Sequence, residues 1–314
     1  MRMAFTSADV FPIKLLSACS YPVRGMRIEP RHLQLNLTNR CNLKCAFCSC
    51  ANRDRDGEMS YTDASMLLTR FRVLGCRAVT VTGGGEPLLH PQINDIIDKA
   101  RQLGISVGLV TNGLALDSLT NGWPSWVRIS FSDDRAFNTA FVTTVERAVE
   151  RIKTDWAISY VLTSKPNWDN LRNAVTMANL LGFTHVRIVS DLLDLDNVPT
   201  MDEAAKELGG EDHIVIYQGR KDFSPGHKNC WISLLKPVVD VDGTVYPCCG
   251  VQYAMEQPSG RYDPSMSMGH WDSFSDRTSK QVCFDGSKCV RCYYQCYNEL
   301  LARMVSVPTH AEFV

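Results

Sequence analysis

The chain has 314 residues, a formal net charge of -1 and 45% hydrophobic residues. This length suits one main domain with a smaller appendage, and the hydrophobic content is sufficient for a full buried core. The near-neutral charge excludes a basic excess for binding many phosphates, so bulk nucleic-acid binding is not expected. The N-terminal stretch lacks the unbroken apolar segment of a signal peptide, because it is interrupted by Asp9, Pro12 and Lys14. No later apolar run reaches membrane-spanning length. We therefore expect a cytoplasmic protein without membrane contact.

Strand and helix patterns alternate from about residue 33 to residue 190. Between short apolar strands lie helices whose apolar residues recur at spacings of three and four, which predicts an α/β fold with a parallel sheet. Six strands suit an open, incomplete barrel, and the loops that follow them should gather on one face and form the active site. The predicted strands are 33–37, 78–82, 106–110, 127–131, 157–162 and 186–189.

The second part of the chain has a different character. Residues 191–210 are acidic and are expected to be irregular, and residues from about 216 onward are rich in Gly, Pro, Cys and aromatic residues with little periodic helix. Such a segment needs a bound metal group to fold well. We therefore predict an N-terminal extension at 1–30, a barrel at 31–215 and a small cysteine-rich domain at 216–314.

The chain contains 13 cysteines. In a reducing compartment a disulfide framework is not expected, and the clustered spacing favours metal binding. Cys19 and Cys76 stand apart and are interpreted as small buried hydrophobic side chains. The early group is Cys41, Cys45, Cys48 and Cys50, and the late group is Cys248, Cys249, Cys289, Cys292 and Cys296, with Cys230 and Cys283 nearby.

The early group follows the first predicted strand, on the catalytic face. Cys41, Cys45 and Cys48 have the spacing CxxxCxxC, and Phe47 directly precedes the last cysteine. Three thiolates in one short loop can hold three irons of a 4Fe-4S cluster and leave the fourth iron without a protein ligand. The alternative is a zinc site, which would require a fourth protein ligand such as Cys50.

A glycine run ends the second predicted strand. Gly83, Gly84 and Gly85 let the backbone approach a ligand closely, and the carboxylate of Glu86 can accept hydrogen bonds from an ammonium group. Asn112 and Ser130 end the third and fourth strands and present polar groups on the same face, although loop capping explains each of them equally well.

The CxxxCxxC motif with Phe47 resembles the signature of the radical SAM superfamily. The resemblance implies a partial (β/α)6 TIM-like barrel in which S-adenosyl-L-methionine (SAM) binds the open iron. It also implies an external one-electron reductant of flavodoxin or ferredoxin type and an oxidoreductase or isomerase reaction begun by a 5'-deoxyadenosyl radical. Phe47 would then contact the adenine of SAM. The methionine amino group would be bound by Gly84, Gly85 and Glu86, with Gly83 as a neighbour. The ribose or the carboxylate would be contacted by Asn112 and Ser130.

The late group resembles the C-terminal SPASM and twitch domains of such enzymes. The Asp242-Gly243 turn predicts a hairpin that brings Cys248 back towards Cys230. The compressed spacing CxxCxxxC favours one auxiliary 4Fe-4S cluster, with the ligands Cys230, Cys248, Cys289 and Cys292 and with Cys296 as a substitute. A structural zinc suits four cysteines equally well. Cys249 occupies the position of a catalytic residue in some relatives, and it is either a spare thiol or a hydrogen-atom or proton donor.

The substrate is predicted from the N-terminal region. About thirty residues precede the first strand, fewer than the peptide-binding domain of many peptide-maturing relatives. We therefore expect a small-molecule substrate of the sugar, aminocyclitol or nucleoside type. Peptide modification is the alternative enzyme function, and a zinc-stapled, non-catalytic interaction protein is the alternative outside enzymes.

Overall fold

The structure, a computed structural model, describes residues 27–209, 213–219 and 224–305. Cys19 and most of the predicted N-terminal extension lie outside the described residues. The described residues form one nine-stranded sheet in the order β7-β6-β5-β4-β3-β2-β1-β8-β9. The strands are β1 (His32–Leu35), β2 (Ala78–Val81), β3 (Ser106–Thr111), β4 (Trp126–Ser132), β5 (Asp155–Leu162), β6 (His185–Ser190), β7 (Val215–Gln218), β8 (Val238–Val239) and β9 (Val245–Tyr246).

Parallel pairing runs from β7 through β1 to β8, as the alternating sequence pattern predicts. Side chains alternate between the two faces of each strand. Leu33 and Leu35 of β1 are buried in the main hydrophobic core, whereas Gln34 between them lines the central cavity. All six predicted strands are confirmed, and the partial-barrel α/β fold with them.

The described part of the chain contains eight α-helices, and those between the barrel strands cover the outer face of the sheet. Glycines in the left-handed conformation follow four of them, because a residue without Cβ adopts this cap conformation without strain. No helix among the described residues is both long and apolar enough to cross a membrane. The helices are α1 (Tyr61–Val73), α2 (Ile93–Gln102), α3 (Thr139–Arg151), α4 (Trp168–Leu180), α5 (Met201–Glu207), α6 (Ile232–Leu235), α7 (Phe274–Lys280) and α8 (Gln295–Val305).

The prediction that residues 191–210 are irregular is wrong for α5. Thr200 and Glu203 form a capping box at its start, in which each side chain accepts the other residue's backbone N–H. The signature T-x-x-E was visible in the sequence. β7 pairs with β6 and adds a strand beyond the predicted six, so the sheet continues across the boundary predicted near residue 216. The division into two domains at that residue stays a prediction.

The predicted hairpin is present as β8 and β9. Gly243 in its turn has φ +83°, and a Cβ there would lie 2.2 Å from Nε2 of His270, so both conformation and space require glycine. β8 also pairs in parallel with β1. The cysteine-rich segment is therefore attached to the barrel through the strand that leads into the early cysteine loop.

Candidate active site

A cavity of about 660 Å³ lies within the barrel and is lined by strand residues and by the loops that follow the strands. The early cysteine loop follows β1 and the glycine run follows β2, while Asn112 follows β3 and Ser130 belongs to β4. The sequence-predicted residues that line this cavity are Cys41, Cys45, Phe47, Cys48, Gly83, Gly84, Gly85, Glu86, Asn112, Ser130 and Cys249. The fold thus brings together every residue predicted for the SAM site, and adds Cys249 from the C-terminal segment.

The glycine run packs directly against the segment that leads into the cysteine loop. A Cβ on Gly83 would lie 2.2 Å from Oδ1 of Asn36, and one on Gly85 would lie 2.0 Å from the carbonyl oxygen of Arg40. The amide of Gly85 donates to the carbonyl of Thr38 at 2.8 Å, and the amide of Glu86 donates to that of Arg40 at 2.8 Å. The missing side chains therefore allow two loops to share hydrogen bonds, which fixes the cysteine loop beside β2.

The Glu86 carboxylate is buried and accepts three hydrogen bonds from the protein. Its donors are the hydroxyl of Thr111 at 2.6 Å and the backbone amides of Asn112 at 2.7 Å and Leu88 at 3.1 Å. Burial raises the pKa of Glu86, and these donors oppose that shift. A carboxylate offers about four acceptor positions. Glu86 therefore ties β2 to β3 and retains room for one further donor.

The three early thiols line the same cavity, and Cys41 and Cys48 both act electrostatically on Cys45. Burial raises the pKa of Cys45 to about 11, with smaller contributions from Asp134, Cys48 and Cys41, while Arg135 opposes the shift. A bound cationic cluster would remove this repulsion between thiolates. The donor set, three thiols around a cavity with polar walls, therefore fits a 4Fe-4S cluster with one open iron.

Two arginines at this site were missed by the sequence analysis. Arg135 donates to the backbone carbonyls of Asn112 at 2.8 Å and Ser130 at 2.6 Å, and its guanidinium lies 4.6 Å from the ring centre of Phe131. Arg53 donates to the sulfur of Cys48 at 3.6 Å. No local pattern marks either arginine, because both act through contacts that exist only in the folded chain.

The late cysteines meet in a second, smaller cavity. Its walls include Cys230, Cys248, Cys289 and Cys292. Burial, with smaller contributions from Cys292 and Cys289, raises the pKa of Cys230 to about 12. Cys296 is exposed and is not among the residues that line this cavity. The four cysteines expected from sequence are therefore brought together, and their all-thiol donor set fits an auxiliary 4Fe-4S cluster.

A thin wall separates the two cavities. Gly250, Tyr293 and Tyr294 line both of them. Cys249 lines the larger cavity, and its sulfur lies 3.3 Å from the hydroxyl oxygen of Tyr294. The C-terminal segment thus supplies one side of the barrel cavity.

Within the described ranges, no group of three or more His, Cys, Asp or Glu side chains is arranged around a single metal ion. In a 4Fe-4S cluster each cysteine binds a different iron, so its ligands are spaced more widely than those of one ion.

The model of the Radical SAM superfamily matches residues 35–193, just over half of the chain. The protein therefore belongs to the radical SAM superfamily, whose enzymes use a 4Fe-4S cluster and SAM. The matched residues include the barrel strands β2 to β6, the last residue of β1, the cysteine loop and the glycine run.

Individual relatives match shorter segments. The GTP 3',8-cyclase of Microcystis aeruginosa (strain NIES-843 / IAM M-2473) is 36% identical over 100 residues, which cover 28% of this chain and 29% of the cyclase. The PqqA peptide cyclase of Streptomyces rochei is 37% identical over 89 residues, which cover 28% of this chain and 24% of that protein. The matches thus span less than a third of these relatives.

Solved structures share the fold over most of the chain. Streptococcus suis SuiB bound to the precursor peptide SuiA aligns with a TM-score of 0.58 and 15% identity, covering 89% of this chain and 74% of SuiB. The anSMEcpe protein with bound AdoMet and Kp18Cys peptide aligns with a TM-score of 0.54 and 15% identity, covering 87% of this chain and 96% of that one. At such identities the likeness establishes the fold alone.

Proposed function

We propose that the protein cleaves SAM reductively and uses the resulting 5'-deoxyadenosyl radical to abstract a hydrogen atom from a small molecule of the sugar, aminocyclitol or nucleoside type. The outcome would be an oxidation or a rearrangement. The observation that carries this proposal is the single cavity lined by the early cysteines, the glycine run and Cys249.

Cys41, Cys45 and Cys48 would hold the SAM-binding cluster. When bound, this cluster supplies the electron that splits SAM into methionine and the radical. Glu86 has one acceptor position left for the methionine ammonium. The neighbouring glycines have no side chains, so SAM could approach their backbone closely. Phe47 would pack on the adenine, and Asn112 and Ser130 would bond the ribose or carboxylate. Arg135 would hold these two residues through their backbone carbonyls.

Cys230, Cys248, Cys289 and Cys292 would hold an auxiliary 4Fe-4S cluster in a SPASM- or twitch-type domain. Their common cavity supports this set, and the exposed position of Cys296 makes that residue the substitute. A zinc at the same four thiols is the alternative, and metal analysis separates the two: about eight irons indicate a second cluster, whereas about four irons and one zinc indicate a zinc site. Electrons would come from a flavodoxin- or ferredoxin-type reductant.

Cys249 is the candidate catalytic thiol. It lines the cavity in which SAM and substrate would meet, whereas the adjacent Cys248 lines the auxiliary cavity. A thiol at this wall can deliver a hydrogen atom or a proton to a substrate carbon. The other possibility is a spare cysteine whose removal leaves turnover unchanged.

The substrate class depends on cavity size and relatives. A volume of about 660 Å³ lies within the range of small-molecule sites and must accommodate both SAM and substrate. The GTP 3',8-cyclase relative, named for a nucleotide, supports a small-molecule substrate. Peptide modification remains the second candidate, favoured by the peptides bound to SuiB and anSMEcpe and by the name of the PqqA peptide cyclase.

Deuterium transfer tests this assignment. An extract of cells grown in deuterated water is separated into small-molecule and peptide fractions, and each is incubated anaerobically with reduced protein and unlabelled SAM. We expect deuterium in 5'-deoxyadenosine only with the small-molecule fraction. Deuterium only with the peptide fraction would establish the alternative, and a Cys45→Ala variant, which should make no 5'-deoxyadenosine, serves as the control.

A further inference from the structure

Asn298 is a polar side chain with no exposed surface in the core of the C-terminal segment. It lies on α8 and lines the auxiliary cavity together with the four late cysteines. Its amide nitrogen lies 3.7 Å from the sulfur of Cys230. A buried amide costs stability unless its hydrogen bonds are made, so the partners of Asn298 indicate why it is there.

The orientation of this amide is fixed by a second contact. The backbone N–H of Ile232, at the start of α6, donates to Oδ1 of Asn298 at 3.0 Å. Since this backbone group can only donate, the oxygen of the amide must face it, and the NH₂ group must face Cys230. Cys230 and Ile232 are two residues apart, so one side chain fixes both the thiol and the helix that follows it.

We propose that Asn298 is a positioning residue that sets the reduction potential of the auxiliary cluster through an N–H···S hydrogen bond to Cys230. The inference rests on the proposed ligand role of Cys230. Reduction adds negative charge to a cluster and its sulfurs, and a donor aimed at a ligand sulfur stabilises the reduced form more than the oxidised form. Asn298 therefore makes this cluster a better electron acceptor.

Two substitutions separate this role from packing. Asn298→Asp keeps an oxygen for the amide of Ile232 but replaces the donor facing sulfur with a carboxylate oxygen. Asn298→Leu removes both hydrogen bonds at similar volume. Leu301→Ala is the matched control, because Leu301 is fully buried on the same helix, three residues further on, and its loss disturbs packing without removing a hydrogen bond to Cys230.

The readout is a redox titration followed by electron paramagnetic resonance, with iron content measured on the same samples. In both Asn298 variants we expect one-electron reduction of the auxiliary cluster to become at least about tenfold less favourable, which corresponds to a potential about 59 mV lower. The Leu301→Ala potential should equal that of the wild type. Unchanged potentials in Asn298 variants that retain full iron would overturn the inference.

The same experiment distinguishes this inference from the proposed function. If the wild type shows no auxiliary cluster signal and binds about four irons, the proposed ligand set fails, and the inference fails with it. If the wild type binds about eight irons and the Asn298 variants leave the potential unchanged, the ligand set stands and Asn298 has a structural role alone.

Discussion

Replacing Gly85 by Ala should disable the radical site while leaving the fold intact. The new Cβ would lie 2.0 Å from the Arg40 carbonyl oxygen, and Cβ contacts below 3.0 Å essentially never occur, so that carbonyl must retreat by about 1 Å. The same carbonyl accepts the amide of Glu86 at 2.8 Å, and a shift of this size breaks the bond. Overpacking and the lost hydrogen bond together predict a destabilisation of about 2–4 kcal/mol.

The assay compares Gly85→Ala with Gly182→Ala. Gly182 has φ +69°, and a Cβ added there would meet no atom within 4 Å, so its substitution costs only the left-handed strain of about 1–2 kcal/mol. Gly182 also does not line the cavity. Urea unfolding gives the stability of both variants, and 5'-deoxyadenosine formation under reducing, anaerobic conditions gives their function. We expect both to be folded and destabilised, and only Gly85→Ala to lose most SAM cleavage.

The reasoning would be refuted if Gly85→Ala cleaved SAM at the wild-type rate with unchanged stability. That result would mean that the cysteine loop does not depend on its contact with the glycine run. Equal losses of SAM cleavage in both glycine variants would also count against it, because general destabilisation would then explain the effect.

Two further predictions concern the remaining loops and the auxiliary site. Asp133→Ala removes the acceptor for the Tyr160 hydroxyl at 2.6 Å and for two backbone amides. Urea unfolding should therefore show that the free energy of unfolding falls by about 2–4 kcal/mol. A fall of less than about 0.5 kcal/mol would contradict this expectation. Cys292→Ala should retain some uncoupled SAM cleavage but form little product and bind about four irons, whereas Cys296→Ala should bind about eight. Full product formation by Cys292→Ala would contradict the ligand role of Cys292, and Cys296 would become the first substitute to test.

The barrel was predictable because its sequence pattern is local. Strands such as β5 are short apolar segments, and several helices are followed by glycines, which favour the left-handed cap conformation. α5 and β7 were missed although a capping box and an apolar run mark them. The acidic composition of residues 191–210 hid the helix α5, yet a short helix needs only one buried face, which Ala204 supplies here.

The candidate site was predictable as a set of motifs but not as a network of contacts. Each cysteine and glycine has a spacing that can be recognised along the chain. Arg53, Arg135 and Asn298 have no such spacing, since each acts on a residue or loop that only the fold brings near. The glycines also have a second role that the sequence did not indicate: they accommodate the segment before the cysteine loop as well as leaving room for a ligand.

The most direct test of the central claim is the formation of 5'-deoxyadenosine from SAM by anaerobically reconstituted, reduced protein. Wild-type protein should form it, and Cys45→Ala should not, because the cluster site loses one of its three thiols. Cys76→Ala is the control, since Cys76 is buried in the core and does not line the cavity, and it should retain cleavage. Equal 5'-deoxyadenosine formation by Cys45→Ala and wild type would contradict the account.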